Sequence, residues 1–174
     1  SLAHPLGTDE LGRDLFIRLS YGGQVSLAVA MVAAVFSAVI GTLLGLLAGY
    51  FGGRLDSLLM RFTDGVISLP LLPLLIVLAA IDLEKLGFSA EIAGSENIAL
   101  YRIIAIIALV GWTTVARLVR AETLALKNRD FVRAAVALGA SAPAIIFRHI
   151  LPNSISPIIV ATTLSVGNII LLES

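Results

Sequence analysis

Residues 26 to 50 read SLAVAMVAAVFSAVIGTLLGLLAGY, and this stretch decides the fold class because it carries no charge. The uncharged run extends from Arg18 to Arg54 and exceeds the ~20 apolar residues that a helix needs to cross the hydrocarbon core of a bilayer. We therefore predict that residues 26 to 50 form a transmembrane helix.

The composition agrees with this prediction. Hydrophobic residues make up 58% of the 174 residues and charged residues only 14%, and the mean hydropathy is +1.00. Water-soluble domains do not reach this balance, so an integral membrane protein in a lipid bilayer is indicated. The formal net charge of zero gives no basic field that would favour nucleic acid, and the lack of cysteine excludes thiol catalysis and Cys-based zinc sites.

Three further spans are predicted, at residues 65 to 81, 98 to 119 and 156 to 172. The first of them contains Pro70 and Pro73 and should be kinked, and the second is flanked by Arg102 and Arg117, whose side chains can snorkel. The predicted fold is an all-α polytopic membrane helix bundle with four spans, forming one domain over residues 1 to 174. Because the chain opens without Met or a leader and stops just past an apolar run, we expect a fragment.

Charge counts give the predicted sidedness of the loops. Residues 54 to 64 and 117 to 149 hold eight Lys or Arg against four acids, whereas the segments on the other side hold four against eight. By the positive-inside rule the first side is cytoplasmic. Both ends of the chain should therefore face outward, and residues 117 to 152 should form a cytoplasmic loop.

A stripe of small residues runs along the first predicted span in steps of four: Ala33, Ser37, Gly41, Gly45 and Gly49. Small side chains let helix backbones approach closely. Intramolecular helix packing is the favoured interpretation, with a subunit interface or pore wall as the alternative. Asn168, in the fourth span, is interpreted as forming an interhelical hydrogen bond rather than lining a pore.

Enzyme chemistry finds little support in the sequence. There is no HExxH motif and no GxxxxGK phosphate loop, and His4 and His149 fall on opposite predicted sides of the membrane. The cluster of His4, Asp9, Glu10 and Asp14 is interpreted as a solvated acidic segment rather than a metal site. We therefore expect no catalytic residues, no cofactor and no metal, and any ATP used must bind to another chain.

The cytoplasmic stretch RAAVALGASAPAIIFRHILP, residues 133 to 152, predicts two short helices joined at Gly139. Asp130 is placed to cap the first, a left-handed Gly139 to end it, Ser141 to cap the second and Pro152 to end that one. From the residues alone, a helix that enters a partner's groove and a simple link between spans are equally supported.

The order of these elements resembles the cytoplasmic loop of ABC importer permeases, whose pattern is Glu-Ala-Ala, three residues, Gly, and later Leu-Pro. Here the matching residues are Arg133, Ala134, Ala135, Gly139 and then Leu151 and Pro152. HPLGTDELGRDLFIRLSYGGQVSL, residues 4 to 27, LDSLLMRFTDGVISLP and GWTTVARLVRAETLALKNRDFVRAA resemble the dipeptide and oligopeptide permeases, in the C-type subunit branch. The resemblance covers nearly the whole chain.

The resemblance implies a six-span permease, of which this chain has four spans, in a bacterial or archaeal inner membrane. It implies a peptide importer with a homologous second permease subunit, two cytoplasmic ATPase subunits and an extracytoplasmic solute-binding protein. Alternatives are an importer of nickel or another small solute on the same scaffold, and a membrane scaffold protein without transport activity. The implied ATPase-coupling residues are Arg133, Ala134, Ala135, Gly139, Ala140 and Ser141.

One residue departs from the family pattern, which has Glu where this chain has Arg133. With Asp130 as the cap, that Glu would be the third helical residue of a capping box, and Arg cannot accept the reciprocal backbone hydrogen bond. The sequence therefore predicts an altered docking surface or a partner with a compensating acid.

Overall fold

The computed structural model describes residues 5 to 81, 89 and 96 to 173. These residues are helical apart from loops and one isolated antiparallel bridge between Thr8 and Asp14. The helices are α1 (Leu15–Phe51), α2 (Gly53–Ser68), α3 (Leu71–Ala80), α4 (Glu96–Lys127), α5 (Asp130–Ala137), α6 (Ala142–Ile145) and α7 (Leu151–Glu173), with a π-helical turn (Ile146–Ile150) between α6 and α7. The all-α membrane class is confirmed.

Helix α1 begins eleven residues before the predicted span because Asp14 caps it. The Asp14 carboxylate accepts hydrogen bonds from the backbone N–H groups of Phe16, at 2.8 Å, and Ile17, at 3.4 Å. These are two of the four N–H groups that a helix start leaves without an internal partner. The helix ends at Gly52, whose φ of 65° reverses the chain. Helix α1 therefore includes residues that lie outside the apolar run.

Helices α1 and α4 pack side by side and run parallel. Gly41 of α1 lies against Trp112 and Val115 of α4, and Gly49, two turns later, lies against Thr123. Residue numbers therefore increase together along the contact. A parallel pair requires the intervening chain to return from one end of the helices to the other.

That return path is helix α2 followed by α3, and the predicted span at residues 65 to 81 is broken rather than kinked. Helix α2 ends at Ser68, Leu69 and Pro70 are extended, and α3 covers only Leu71–Ala80. The break follows from Pro70, which disfavours helical geometry at Leu69 and has no N–H to donate. By length and hydropathy, three helices of the described residues qualify as spans: Leu15–Phe51, Ile104–Lys127 and Ala142–Leu171. The predicted count of four spans is therefore approximate, and the expected kink at Pro70 and Pro73 is a break between two helices.

The broken segment nevertheless travels most of the way along α4. At one end Asp56 of α2 pairs with Arg120 of α4, and at the other end the Ile81 carbonyl, just past α3, accepts a hydrogen bond from Arg102. Arg102 and Arg120 are 18 residues apart on α4, or about 27 Å along a helix axis. This distance approaches the ~30 Å thickness of a hydrocarbon core.

The predicted end of the second short cytoplasmic helix at Pro152 is also wrong. The chain continues from α6 through the π turn into α7 without leaving the helix, so Ala142–Leu171 is one apolar helix. In the π turn the Leu151 N–H bonds to the carbonyl of Ile146, five residues back, and the wider turn makes room for the proline ring. The Asn153 side chain donates to the His149 carbonyl at 2.6 Å and the Ser154 hydroxyl to the Ile150 carbonyl at 3.0 Å.

Candidate functional site

Helix α5 is the first half of the predicted cytoplasmic insert, and it begins one residue earlier than predicted. The N–H groups of Val132 and Arg133 both donate to the Arg129 carbonyl at 3.0 Å, which makes Arg129 the cap, and no side chain caps this end. Asp130 is therefore the first helical residue and Arg133 the fourth. The predicted loss of a capping box at Arg133 is wrong, because the third helical residue, whose side chain would bond back to the cap, is Val132.

Gly139 ends α5 in the left-handed conformation that the sequence predicts, with a φ of 80°. The N–H of Ala140 donates to the Ala135 carbonyl at 3.0 Å and the N–H of Gly139 to the Val136 carbonyl at 2.9 Å. This pair of hydrogen bonds is the Schellman motif, in which a glycine without Cβ takes the left-handed position at little cost. The turn is thus fixed by backbone bonds rather than by a flexible hinge.

Beyond the turn, Ser141 is the cap residue of α6, as predicted. Its carbonyl accepts the Ile145 N–H at 3.0 Å, while its side chain makes no capping hydrogen bond. Pro143 is tolerated in the first turn, where the backbone N–H has no helical partner in any case. The start of α6 is therefore set by the backbone hydrogen bond to the Ser141 carbonyl and by Pro143 in the first turn.

Helix α5 has one buried and one exposed face. Val132 and Ala135 belong to a core cluster that also contains Leu46 of α1, Val119 of α4 and Ile145 of α6. The opposite face exposes apolar side chains to an unusual degree, with Leu138 88% and Val136 54% accessible. Arg133 and Ala134 lie on the exposed side, whereas Ala140 packs partly against the core. The insert is therefore packed against α1 and α4 while presenting an apolar surface outward.

The groove between α5 and the end of α1 is basic. Lys127 donates a hydrogen bond to the Tyr50 carbonyl, and its ammonium lies 5.4 Å from the centre of the Tyr50 ring. Arg133 borders the same groove, and its guanidinium forms no hydrogen bond or ion pair with the described residues. A free guanidinium beside an exposed apolar face offers a charged contact to whatever covers that face.

The small-residue stripe faces α4, not a free surface. A Cβ built on Gly41 would lie 2.6 Å from the Trp112 carbonyl oxygen, and one on Gly45 2.6 Å from the Ala116 carbonyl oxygen. Gly49 would meet Thr123 at 2.6 Å in the same way. Ser37 lies opposite Gly111 of α4. Three glycines are thus required by close contact within this chain.

Two ion pairs join α2 to α4 on the predicted cytoplasmic side and were not anticipated from the sequence. Arg120 binds both carboxylate oxygens of Asp56, one of them at 2.6 Å, and Arg117 contacts Asp64 at 2.5 Å. The stacked rings of Phe62 and Trp112, 5.8 Å apart, lie between the same helices. The two ion pairs join residues 53 and 64 positions apart in the sequence, so no local signal could pair them.

On the opposite side, Asp9 organises the turn that precedes α1. Its carboxylate accepts hydrogen bonds from the backbone N–H groups of Arg13, at 2.8 Å, and Leu11, at 2.9 Å, and pairs with Arg18 at 2.5 Å. The Arg13 N–H and then the Arg18 guanidinium hold the pKa of the Asp9 carboxyl below its ordinary value. Gly7 and Gly12, with φ of 82° and 75°, shape this turn.

The polar cluster considered as a metal site lies partly beyond the described residues, since His4 is not among them. Within the described part, Asp9 is engaged by the turn and Asp14 caps α1. No three His, Asp or Glu side chains of residues 5 to 81, 89 and 96 to 173 come together as ligands.

Asn168 does not form the interhelical hydrogen bond expected of it, as its side chain bonds to none of the described residues. Instead it borders a cavity between α1, α4 and α7, together with Ser37, Gly111 and Ser165. No local pattern predicts this cavity, because its walls also include the link after α2 and so come from four separate segments.

The chain is similar in sequence to known transport permease proteins. The oligopeptide transport system permease protein OppC of Escherichia coli (strain K12) is 42% identical over 171 residues, covering 98% of this chain and 52% of the relative. OppC of Bacillus subtilis (strain 168) is 36% identical over 171 residues with the same coverage. A putative peptide permease protein of Brucella abortus is 39% identical over 175 residues, covering all of this chain and 53% of the relative. The chain spans about half the length of the curated relatives it matches.

Family membership follows from residues 41 to 174, which match the model of the binding-protein-dependent transport system inner membrane component. This match covers well over half of the chain and includes α5, Gly139 and the glycine contacts between α1 and α4. The chain, a multi-pass membrane protein, belongs to the family of binding-protein-dependent transport system inner membrane components.

Proposed function

We propose that this chain is part of a permease subunit of an ATP-driven ABC importer for dipeptides or oligopeptides. The family membership supports it, as does the similarity to oligopeptide transport system permease proteins. The structural observation that carries the proposal is α5, a short helix outside the apolar spans with its Schellman turn at Gly139. Its buried face is joined to the bundle and its exposed face is apolar.

The exposed face of α5 is the proposed docking surface for the ATPase partner. Leu138 and Val136 are exposed, so a partner that covers them removes their apolar surface from water, which favours binding. Arg133 adds a cation at the edge of this surface, so the partner's matching surface should carry a carboxylate. The proposed coupling set combines exposed residues that a partner can contact with residues that pack against the core: the first group is Arg133, Ala134, Gly139 and Ser141, and the second is Ala135 and Ala140.

The buried face explains how motion of a docked ATPase would reach the spans. Val132 and Ala135 pack in one cluster with Leu46 of α1, Val119 of α4 and Ile145. Because packed cores transmit displacement rather than absorb it, a shift of α5 must move α1, α4 and the helix that continues into α7. By linkage, nucleotide state and substrate delivery then affect one another.

The remaining partners follow from the same proposal. ATP would bind to two separate ATPase subunits, since this sequence has no GxxxxGK loop. A homologous permease subunit would complete the pathway, and an extracytoplasmic solute-binding protein would deliver the peptide. The nickel-importer and scaffold alternatives have no observation in their favour here.

Reconstitution tests the proposal. The full-length protein is purified with its partner subunits, placed in proteoliposomes with ATP, and supplied with the solute-binding protein and either radiolabelled tri-alanine or radioactive Ni²⁺. Uptake of tri-alanine that depends on ATP and on the binding protein is expected. Two outcomes would reject peptide import. In the first, an assembled complex takes up Ni²⁺ but not tri-alanine; in the second, it takes up neither solute.

A further inference from the structure

The cavity beside Asn168 is the strongest feature that the proposed coupling mechanism leaves unused. It has a volume of about 330 Å³ and lies between α1, the break separating α2 from α3, α4 and α7. Five hydroxyl or amide side chains border it: Ser37, Thr113, Thr114, Ser165 and Asn168. No charged side chain of the described residues borders it. Such a cluster of neutral polar groups within apolar spans needs a physical reason.

Ser37 carries the clearest signal of a missing partner. The residue is 1% exposed, and its hydroxyl has no hydrogen bond although it borders the cavity. Helical hydroxyls normally donate to the carbonyl four residues back, as Thr63 does at 2.8 Å and Thr123 at 2.6 Å in this chain. A buried hydroxyl without a hydrogen-bond partner is unfavourable, because nothing compensates for its removal from water. The cavity therefore favours an occupant that hydrogen-bonds.

The opposite wall offers further unpaired groups. The Thr114 hydroxyl and the Asn168 amide form no hydrogen bond with the described residues, and the amide provides both donors and an acceptor. Thr113 and Ser165 have already donated to backbone carbonyls of their own helices, at 2.8 Å each, but keep acceptor lone pairs. The cavity thus presents donors and acceptors without net charge.

The helix break contributes backbone groups to the same place. Ile67, at the end of α2, and Leu69, in the extended link, both border the cavity. Helix ends leave carbonyl and N–H groups without internal partners, and broken helices line substrate sites in other kinds of transporter. Ser37 lies close to midway along the uncharged run between Arg18 and Arg54, so the site is deep in the membrane.

We propose that this cavity binds the backbone of the transported peptide, through neutral hydrogen bonds from Ser37, Thr114 and Asn168. A peptide backbone carries donors and acceptors in equal number and no net charge, and it is common to all peptides. The absence of a fixed charge among the described lining residues disfavours a metal cation, and the apolar remainder of the wall tolerates different side chains. This inference rests on the proposed peptide-import function.

The test uses the assembled full-length transporter in proteoliposomes with tri-alanine as the probe. Ser37→Ala and Asn168→Leu should each lower uptake roughly fivefold, the effect of losing about 1 kcal/mol of hydrogen bonding. Uptake by the control variant Thr163→Val should stay at the wild-type rate. This substitution removes a hydroxyl from the exposed side of α7 that does not border the cavity. A tripeptide with a photoreactive diazirine side chain should label α1, α4 or α7 beside the cavity.

The outcomes separate this inference from the function on which it rests. If the wild type takes up tri-alanine and both variants do the same, the cavity is not the site, while peptide import stands. Photolabelling that maps elsewhere, or a cavity found filled by a helix of the full-length protein or its partner, also overturns the inference. If the wild type takes up no peptide, both proposals fail. Should a variant assemble poorly, the photolabel map on the wild type still decides.

Discussion

Gly41 of α1 and Val115 of α4 lie so close that a Cβ built on Gly41 would be 2.7 Å from the Val115 Cβ. Real Cβ atoms do not approach this closely, and the Trp112 carbonyl oxygen on the same side, at 2.6 Å, belongs to a helical backbone that cannot move aside alone. The contact between the two parallel helices therefore depends on glycine at this position.

Gly41→Ala should destabilise the protein even though alanine favours helix by about 1 kcal/mol relative to glycine. The added methyl must push α1 and α4 apart along a close contact that continues through Gly45 and Gly49. We expect a lower midpoint of thermal unfolding for the full-length protein in detergent. Gly22→Ala, on the same helix with nothing within 4 Å of the added methyl, should be neutral or stabilising. Equal behaviour of the two variants would contradict the packing.

Single cysteines test the sidedness that the charge counts predict. In intact cells, Arg13→Cys in the full-length protein should react with an impermeant thiol reagent, because it lies in the predicted outward turn. Arg61→Cys, on α2 near the ion pairs with α4, should react only after the membrane is permeabilised. Both side chains are exposed in the structure, so burial does not confuse the comparison. The reverse pattern of labelling would invert the topology.

Gly139→Val should leave the protein in the membrane and greatly reduce peptide uptake and substrate-stimulated ATP hydrolysis by the assembled transporter. The φ of 80° penalises a β-branched residue by about 1 kcal/mol or more and disturbs the Schellman turn that fixes the docking face. Gly139→Asn should be milder, because Asn adopts the left-handed conformation more readily.

Gly12, shortly before the start of α1, provides a matched control for Gly139. Gly12 has a φ of 75° and, like Gly139, nothing within 4 Å of an added Cβ, so Gly12→Val imposes similar backbone strain away from the docking face. Its effect on substrate-stimulated ATP hydrolysis should be much smaller. Normal transport by Gly139→Val at normal expression would show that α5 is only a connector. Gly87, an alternative control in the outward loop, falls outside the described residues.

Acid should open the turn before α1. The folded pKa of Asp9 is lowered by the Arg13 N–H and by Arg18, so the carboxylate's contribution to stability is complete above the ordinary pKa of about 3.9. It is lost as the pH falls through the lowered folded value. A fluorophore on Leu11→Cys should report no change from pH 7 to about 4.5 and increased mobility below about pH 4. Asp9→Asn should remove this transition, and its persistence would assign the transition to another group.

Much of this protein was determined by local sequence. Arg18 and Arg54 mark the limits of an apolar run, and that length alone requires a transmembrane helix, because backbone groups in hydrocarbon must be satisfied within the segment. Gly139 was predicted to be left-handed because it sits where a C-terminal glycine in this conformation would stop the helix. These features depend on residues adjacent in the chain.

The features that were predicted wrongly or missed depend on which segments of the chain pack against each other. Pro152 breaks no helix because a π turn, itself packed through Ile146 and Ile150, widens to accept it. Asn168 borders a cavity whose wall includes Leu69, where α2 has ended. No local pattern specifies the distances between the four segments that form this cavity. The pairing of Asp56 with Arg120 likewise requires α2 to lie against α4. Sequence thus determined the helices and their turns through nearest-neighbour chemistry, whereas tertiary packing alone decided which side chains find partners and which remain free to bind.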